Sequence, residues 1–86
     1  MRVHIPTALR SYTGGLEEVE AEGATLDHLL RELDRRYPGF RFRIIDEQDG
    51  VRAHIKIFID MEQAHDIRAT LREADEVSIL LALSGG

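Results

Sequence analysis

The fold is decided by the stretch Asp75-Glu76-Val77-Ser78-Ile79-Leu80-Leu81-Ala82-Leu83-Ser84-Gly85-Gly86. Its first part alternates aliphatic with polar side chains, which is typical of a strand with one buried face. The alternation predicts a closing strand over residues 75–83, with Val77, Ile79, Leu81 and Leu83 directed inward. The two final glycines lose more conformational freedom on ordering than any other residue. We therefore expect residues 82–86 to form a flexible C-terminal tail.

The tail offers one chemical group, the main-chain carboxylate of Gly86. An extended chain advances about 3.3–3.6 Å per residue, so the tail reaches about 15 Å beyond the last packed strand position. That distance would place the carboxylate inside the active site of another protein while the domain stays outside. The predicted reactive centre is Gly86, and the predicted tail residues before it are Gly85, Ser84 and Leu83.

Composition limits the remaining possibilities. A chain of 86 residues forms one domain, residues 1–86, and can bury a single core. There is no cysteine, so neither disulfides nor thiolate metal sites are expected. The net charge of −5 argues against binding nucleic acid, which depends on neutralising phosphates. No apolar run suggests a signal peptide or a membrane span, and we expect a cytoplasmic protein.

The chain before the closing strand contains a hairpin and a helix. Alternating runs at residues 2–6 and 18–22 flank the turn signal Thr13-Gly14-Gly15 and predict two paired strands. Thr25 is the expected N-cap of a helix, and Pro38-Gly39 its stop. The helix has one apolar face, formed by Leu26, Leu29, Leu30, Leu33 and Tyr37.

The middle of the chain predicts further strands. Residues 51–60 indicate a long strand, with Ala53, Ile55, Ile57 and Ile59 on one face. Residues 60–63 indicate a turn, residues 64–68 a short edge strand, and Leu71 a plug for the core. Phe40 and Phe42 are expected to cover the end of the core. Arginines between them leave open a surface for stacking nucleic-acid bases. The elements together predict an α+β domain, in which one main helix covers one face of a mixed sheet of four or five strands.

Side chains for stand-alone catalysis are not evident. His28 and Glu32 are four residues apart on the helix and could share a metal, but no cluster supplies the three or four ligands that a site needs. The serines have no surrounding motif that would supply a base, and no phosphate-binding glycine motif is present. We predict no metal, no bound cofactor and no enzymatic activity of the domain itself.

The order of these pieces resembles the ubiquitin-like β-grasp sulfur carriers. This family includes the small subunit of molybdopterin synthase, the thiamin-pathway carrier and the carrier of a cysteine-synthesis route. The resemblance rests on Ile5-Pro6-Thr7-Ala8-Leu9-Arg10, Thr13-Gly14-Gly15, Thr25-Leu26 with Leu33, Ile57-Phe58-Ile59-Asp60, and the run from Asp75 to Gly85-Gly86. It covers essentially the whole chain and is greatest for the cysteine-route carrier. The chain departs from the family in having Leu81 where proline often precedes the tail, and Asp60-Met61-Glu62 where an Asn-Gly hairpin is usual.

The resemblance implies a function for the tail. An E1-like adenylyltransferase and sulfurtransferase would use ATP to adenylate the carboxylate of Gly86, and a sulfur donor would convert the product to a thiocarboxylate. A sulfur-accepting synthase would then remove the sulfur. Two alternatives stay open. The chain could be a ubiquitin-like modifier joined to lysines through Gly86, or a regulatory subunit whose tail inserts into a partner enzyme without activation.

Docking of these partners requires a surface on the domain. Phe58, Leu80 and Ala82 are predicted on the sheet face away from the helix, beside Lys56, where they would form an apolar patch for a partner protein. Alternatively, Phe58 and Leu80 pack under Phe40, Phe42 or a loop, because the sequence does not set the register of the strands.

Overall fold

The main helix forms where the leucine periodicity predicts it. The computed structural model describes residues 1–82, and in it helix α1 spans Leu26–Arg36. The hydroxyl of Thr25 accepts a hydrogen bond from the His28 N–H at 3.2 Å, so the predicted N-cap is confirmed. The predicted apolar face is confirmed as well, since four leucines of α1 are completely buried: Leu26, Leu29, Leu30 and Leu33.

A five-stranded mixed sheet supports the helix. Its strands are β1 (Arg2–His4), β2 (Glu18–Glu20), β3 (Ile55–Ile59), β4 (Glu62–Ala64) and β5 (Glu76–Leu81). The order across the sheet is β2-β1-β5-β3-β4. Strands β1 and β5 run parallel, and the other neighbours are antiparallel. The predicted α+β architecture and the predicted N-terminal hairpin are confirmed.

The core lies between the sheet and α1. Strand β5 occupies the centre of the sheet, with Val77 and Ile79 buried among the core side chains. Leu71 is also buried, as predicted. Because β5 is held by a neighbour on each side, the last strand before the tail is fixed to the rest of the domain.

A short second helix replaces the predicted cover of aromatic side chains. Helix α2 spans Phe40–Ile44 and follows Gly39, whose φ of 92° suits glycine. Phe40 is fully buried, as predicted, but Phe42 is 57 % exposed, so its predicted place in the core is wrong. In a helix, side chains four residues apart share a face, so Ile44 accompanies Phe40 into the core while Phe42 turns outward.

The long predicted strand over residues 51–60 is shorter in the structure. Strand β3 begins only at Ile55, because a turn closed by the Ile55 N–H and the Arg52 carbonyl precedes it. Val51 makes only an isolated bridge to Ile45. Ala53 lies in the turn and is exposed, so its predicted place on the buried face is wrong.

The edge strand lies earlier than predicted. Residues 64–68 do not form it, since β4 spans Glu62–Ala64. The connection from β3 is a turn of two residues, Asp60 and Met61, where a longer turn was expected. Asp60 allows this tight turn by adopting a φ of 55°.

Candidate functional site

The C-terminal end of β5 is the part of the predicted site that the structure shows. Leu81 lies opposite Ile55 of β3, and the Ala82 N–H donates to the His54 carbonyl at 2.7 Å. Pairing with the β3 side thus continues to the end of the described chain. The predicted reactive residue Gly86 and the preceding Leu83, Ser84 and Gly85 lie outside the described residues. The structure shows the central strand that leads to them.

The predicted docking residues lie together on the open face of the sheet. Lys56 and Leu80 are opposite each other in register, and Phe58 is opposite Ser78 in the next row. Leu80 is 47 % exposed, Lys56 is exposed, and Phe58 and Ala82 are half-buried. Leu80 is therefore not covered by Phe40, Phe42 or a loop, and it presents an apolar side chain next to the strand end.

The β1 side of this face carries a network of charges. Both ring nitrogens of His4 face glutamates, with Nδ1 3.5 Å from Glu18 and Nε2 3.4 Å from Glu76. Arg2 lies 3.4 Å from Glu18 and 3.3 Å from Glu76. These groups are about half exposed, so each pair contributes little stability. Their main effect is to make this side of the face polar.

The β3 side has a different character. Lys56 and Arg52 border one depression, and the next is bordered by Arg43, Arg52 and His54 together with Glu47. The guanidinium of Arg52 lies 4.6 Å from the centre of the Phe42 ring, and its Nε donates to the Phe42 carbonyl at 2.7 Å. Basic groups therefore flank the strand end on the β3 side, while the glutamates lie on the β1 side.

At this end of the sheet an open groove of about 800 Å³ extends across β2, β1 and β5. Its lining includes Glu17 and Glu18 at the start of β2, Pro6 and Ala8 after β1, and Leu80 and Leu81 at the end of β5. This groove was not predicted from the sequence. Pro6 does mark the point at which the first alternating run ends. The position of the groove, however, depends on which strand lies next to β1, and the sequence does not give this.

Of the possible metal pair on α1, Glu32 is engaged by arginines. Glu32 accepts a hydrogen bond from Arg35 at 2.6 Å and lies 3.8 Å from Arg36. The hydrogen bond from Arg35, together with the charge of both arginines, holds the pKa of the Glu32 carboxyl below its ordinary value. Among residues 1–82, no group of three or more histidine, aspartate or glutamate side chains is arranged to hold a metal ion.

Neither α-helix of the described chain, nor the short 3-10 helix Thr7–Leu9, has both the length and the apolar character that crossing a membrane requires. The longest of them, α1, has 11 residues.

Comparison with known proteins gives the family. Residues 3–86 match the model of the ThiS family. The sulfur carrier protein CysO of Mycobacterium tuberculosis is 33 % identical over an alignment of 89 positions, which covers 98 % of this chain and 96 % of that protein. Solved structures agree. A chain of the Amycolatopsis orientalis BexX/CysO complex superposes with a TM-score of 0.91 at 32 % identity, covering 99 % of this chain and 98 % of the other.

A more distant likeness concerns the fold alone. The small archaeal modifier protein 1 of Methanosarcina acetivorans superposes with a TM-score of 0.80 at 24 % identity, over 99 % of this chain and 94 % of the other. The β-grasp fold that the sequence predicts is confirmed by these structures. A match that spans nearly the whole chain, together with the shared architecture, shows that the chain belongs to the ThiS family.

Proposed function

We propose that this protein is a sulfur carrier whose Gly86 carboxylate is adenylated by an E1-like enzyme and converted to a thiocarboxylate. The observation that carries the proposal is the family match, which extends through residue 86 and so includes both glycines. A relative that is 33 % identical bears the name sulfur carrier protein. The position of the two glycines in the chain also supports the proposal, because they follow the central strand of the sheet.

The chemistry needs only the carboxylate from this chain. A free α-carboxyl group has a pKa of about 3.5, so it is ionised at neutral pH. One of its oxygens attacks the α-phosphorus of ATP, and pyrophosphate leaves. A hydrosulfide equivalent from the sulfur donor then attacks the carbonyl carbon of the acyl adenylate, AMP leaves, and a thiocarboxylate remains.

Two features of the sequence suit this reaction. Gly86 has no Cβ, so both faces of its carbonyl are open to the incoming sulfur. The chain contains no cysteine, so no internal thiol can intercept the acyl adenylate. The activating and sulfur-transferring groups belong to the partner enzymes, and ATP binds to the partner.

The open face of the sheet is the surface that we assign to these partners. Leu80 is exposed and Phe58 is half-buried, which gives an apolar contact. Lys56, opposite Leu80, adds a charge that an acidic group on the partner can pair with. Ala82 is the last described residue before the segment that carries Gly86. A partner that covers these residues also surrounds the start of the segment that carries Gly86.

The acceptor that we favour is a cysteine-forming synthase, because the similar carrier proteins are named CysO. Molybdopterin synthesis or another thiolated product would use the same thiocarboxylate, so the choice of acceptor is separate from the carrier chemistry.

Adenylation can be tested by ATP–pyrophosphate exchange with the E1-like enzyme of the same organism. The unaltered chain should support exchange. Deleting Gly86 leaves a glycine carboxylate that is about 3.5 Å too short, and exchange should be lost. The variant Gly86→Ala keeps the length and adds a Cβ, so exchange should fall without disappearing. Equal exchange with the shortened chain would contradict the proposal. No exchange with the unaltered chain and a competent enzyme would favour a regulatory subunit that is not activated.

A protein modifier is the second candidate, favoured by the fold that the chain shares with an archaeal modifier protein. Conjugation would begin with the same acyl adenylate, but a lysine amine would replace sulfide. Chains of the modifier itself would have to form through Lys56, the only lysine. A series of larger tagged species in cells, lost on deleting Gly86, would support this function, and its absence would favour the carrier.

A further inference from the structure

The basic side chains differ in whether a carboxylate neutralises them. Salt bridges engage most of the arginines, namely Arg2, Arg31, Arg35, Arg36, Arg41 and Arg68. Within residues 1–82 the remaining basic side chains form no salt bridge: Arg10, Arg43, Arg52, Lys56 and Arg72. Arg52 borders one depression with Arg43 and the adjoining depression with Lys56. Unpaired cations are thus concentrated near the start of β3.

The carboxylates near this cluster do not neutralise it. Asp46 accepts two backbone N–H groups of its own turn, at 2.9 and 3.0 Å. Glu47 borders the same depression as Arg43 and Arg52, but it is exposed and forms no salt bridge within the described part of the chain. Even with both carboxylates counted, the cations are in excess. This region is therefore positive, although the whole chain has a net charge of −5.

Arg52 is held in a fixed position beside Phe42. Its Nε donates to the Phe42 carbonyl, and its guanidinium lies over the ring. Within residues 1–82 its two terminal nitrogens have no hydrogen-bond partner. They form a fork that matches the two oxygens of a carboxylate. The Phe42 ring, which is largely exposed, offers an apolar contact next to this fork.

We propose that this region, which we name the basic surface, binds an acidic segment of a protein that acts on the tail. The basic surface consists of Phe42, Arg43, Arg52 and Lys56. Charge complementarity selects the occupant, because unpaired guanidinium and ammonium groups bind carboxylates. The exposed ring favours an apolar side chain beside those carboxylates. This inference rests on the proposed function, in which other proteins act on Gly86.

The basic surface lies next to the start of the tail. His54 borders the depression that Arg43 and Arg52 share, and the His54 carbonyl accepts from the Ala82 N–H at 2.7 Å. Gly86 is four residues beyond Ala82 and so at most about 14 Å from it. A protein that binds Gly86 must therefore lie close to the basic surface.

The opposite side of the sheet would orient such a partner. Glu17 and Glu18 border the groove on the β2 side, where they repel an acidic segment. Attraction on one side of the strand end and repulsion on the other favour a single docking orientation.

Nucleic acid suits the basic surface less well. Its binding depends on neutralising several phosphates, and the chain as a whole is acidic. A base would stack on an aromatic ring, but the guanidinium of Arg52 already covers one face of Phe42 at 4.6 Å. A short acidic peptide segment requires only the few cations that are present.

Arg43→Glu tests the proposal, since Arg43 is exposed and forms no salt bridge within residues 1–82. The probe is the E1-like enzyme of the same organism, because the carrier and the modifier functions both begin with it. Association is measured without ATP. Arg43→Glu should lower the association rate about tenfold at low salt. The difference should nearly disappear at about 1 M salt, where charges are screened over about 3 Å.

Arg72→Glu is the matched control. Arg72 is also exposed and without a salt bridge in the described residues, and it borders a depression with Asp60 and Met61 at the other end of β3. This variant changes the net charge equally and should alter the association rate less than about twofold. Equal slowing by the two variants, or no slowing by Arg43→Glu, would overturn the proposal.

Two further measurements identify other occupants. Binding of a single-stranded oligonucleotide at about 0.15 M salt, lost in Arg43→Glu, would overturn the proposal in favour of nucleic acid. Self-association of the free chain, lost in the same variant, would overturn it in favour of a second copy. Pyrophosphate exchange at saturating enzyme should not change in Arg43→Glu, because Gly86 is intact. Absence of exchange with the unaltered chain would instead overturn the proposed function, so the two failures are distinguishable.

Discussion

One glycine, Gly23, lies directly against the main helix. A Cβ at this position would be 2.5 Å from the backbone nitrogen of Leu29 and 2.9 Å from its Cα. Backbone atoms of a helix cannot move aside as the end of a flexible side chain can. Gly23→Ala should therefore lower the free energy of unfolding by about 1–3 kcal/mol, measured by urea denaturation.

Gly50 provides the matched control for this variant. A Cβ there would meet the carboxylate of Asp46 at 3.4 Å and no backbone atom, which is close to an ordinary contact. Gly50→Ala should thus change stability by less than about 1 kcal/mol. If Gly23→Ala cost no more than Gly50→Ala, the close packing of residue 23 against α1 would be refuted.

Leu80 tests the assigned docking surface. It is 47 % exposed, so Leu80→Ser should alter stability little but weaken binding to the activating enzyme by about tenfold, as the loss of an apolar contact does. Met61 is the control, because it is 93 % exposed and lies at the opposite end of β3 from Leu81. Met61→Ser should leave the dissociation constant unchanged. Equal losses for the two variants, measured by calorimetry, would show that the patch has no special role.

The two phenylalanines of α2 were predicted alike but lie in different environments. Hydrophobicity alone predicted that Phe40 and Phe42 would both cover the core, and this is correct only for Phe40. Their burial differs because a five-residue helix places the two side chains on opposite sides. A run this short does not distinguish the helical period from that of a strand, so Phe42 could not be placed from sequence.

Helices α1 and α2 are joined by a carboxylate. Asp27 accepts hydrogen bonds from Arg31 and from Arg41, both at 2.9 Å. Burial raises the pKa of the Asp27 carboxyl, but the hydrogen bonds and charges of the two arginines outweigh it, so the pKa lies below its ordinary value. A carboxyl whose pKa is lower in the folded state contributes stability above its ordinary pKa, and this contribution is lost as the pH falls toward the folded value.

Asp27→Asn should accordingly lower stability by about 1 kcal/mol near pH 7 and show a smaller further loss on acidification below about pH 4. Urea unfolding at several pH values measures both effects. Glu73→Gln is the control, since Glu73 is exposed and makes no salt bridge within the described part of the chain. Parallel stability curves for Asp27→Asn and the unaltered chain would contradict this role of the carboxylate.

An element was predicted well where the sequence marks its start, its buried face and its end. Helix α1 has a cap, a leucine period and a proline stop, and all three agree with the structure. The boundaries of β3 and β4 were wrong because continuous β-branched and polar runs hide short turns. The turn at Asp60 and Met61 depends on a positive φ at an aspartate, which the composition of the run does not specify.

At the scale of the molecule, the order of the elements was sufficient to predict the fold and the family. The groove was not predicted, because it arises from the parallel pairing of the first and last strands. Only that pairing brings Pro6 next to Leu80. Properties that depend on contacts between the two ends of a chain require the register, which the sequence does not provide.

Sulfur transfer to Gly86 is tested most directly by the intact mass of the protein after incubation with its E1-like enzyme, ATP and sulfide. We expect a species heavier by the difference between one sulfur and one oxygen atom, formed only when ATP is present and absent when Gly86 is deleted. An unchanged mass, with Gly86 intact and the enzyme competent in pyrophosphate exchange, would contradict the conclusion that this chain carries sulfur.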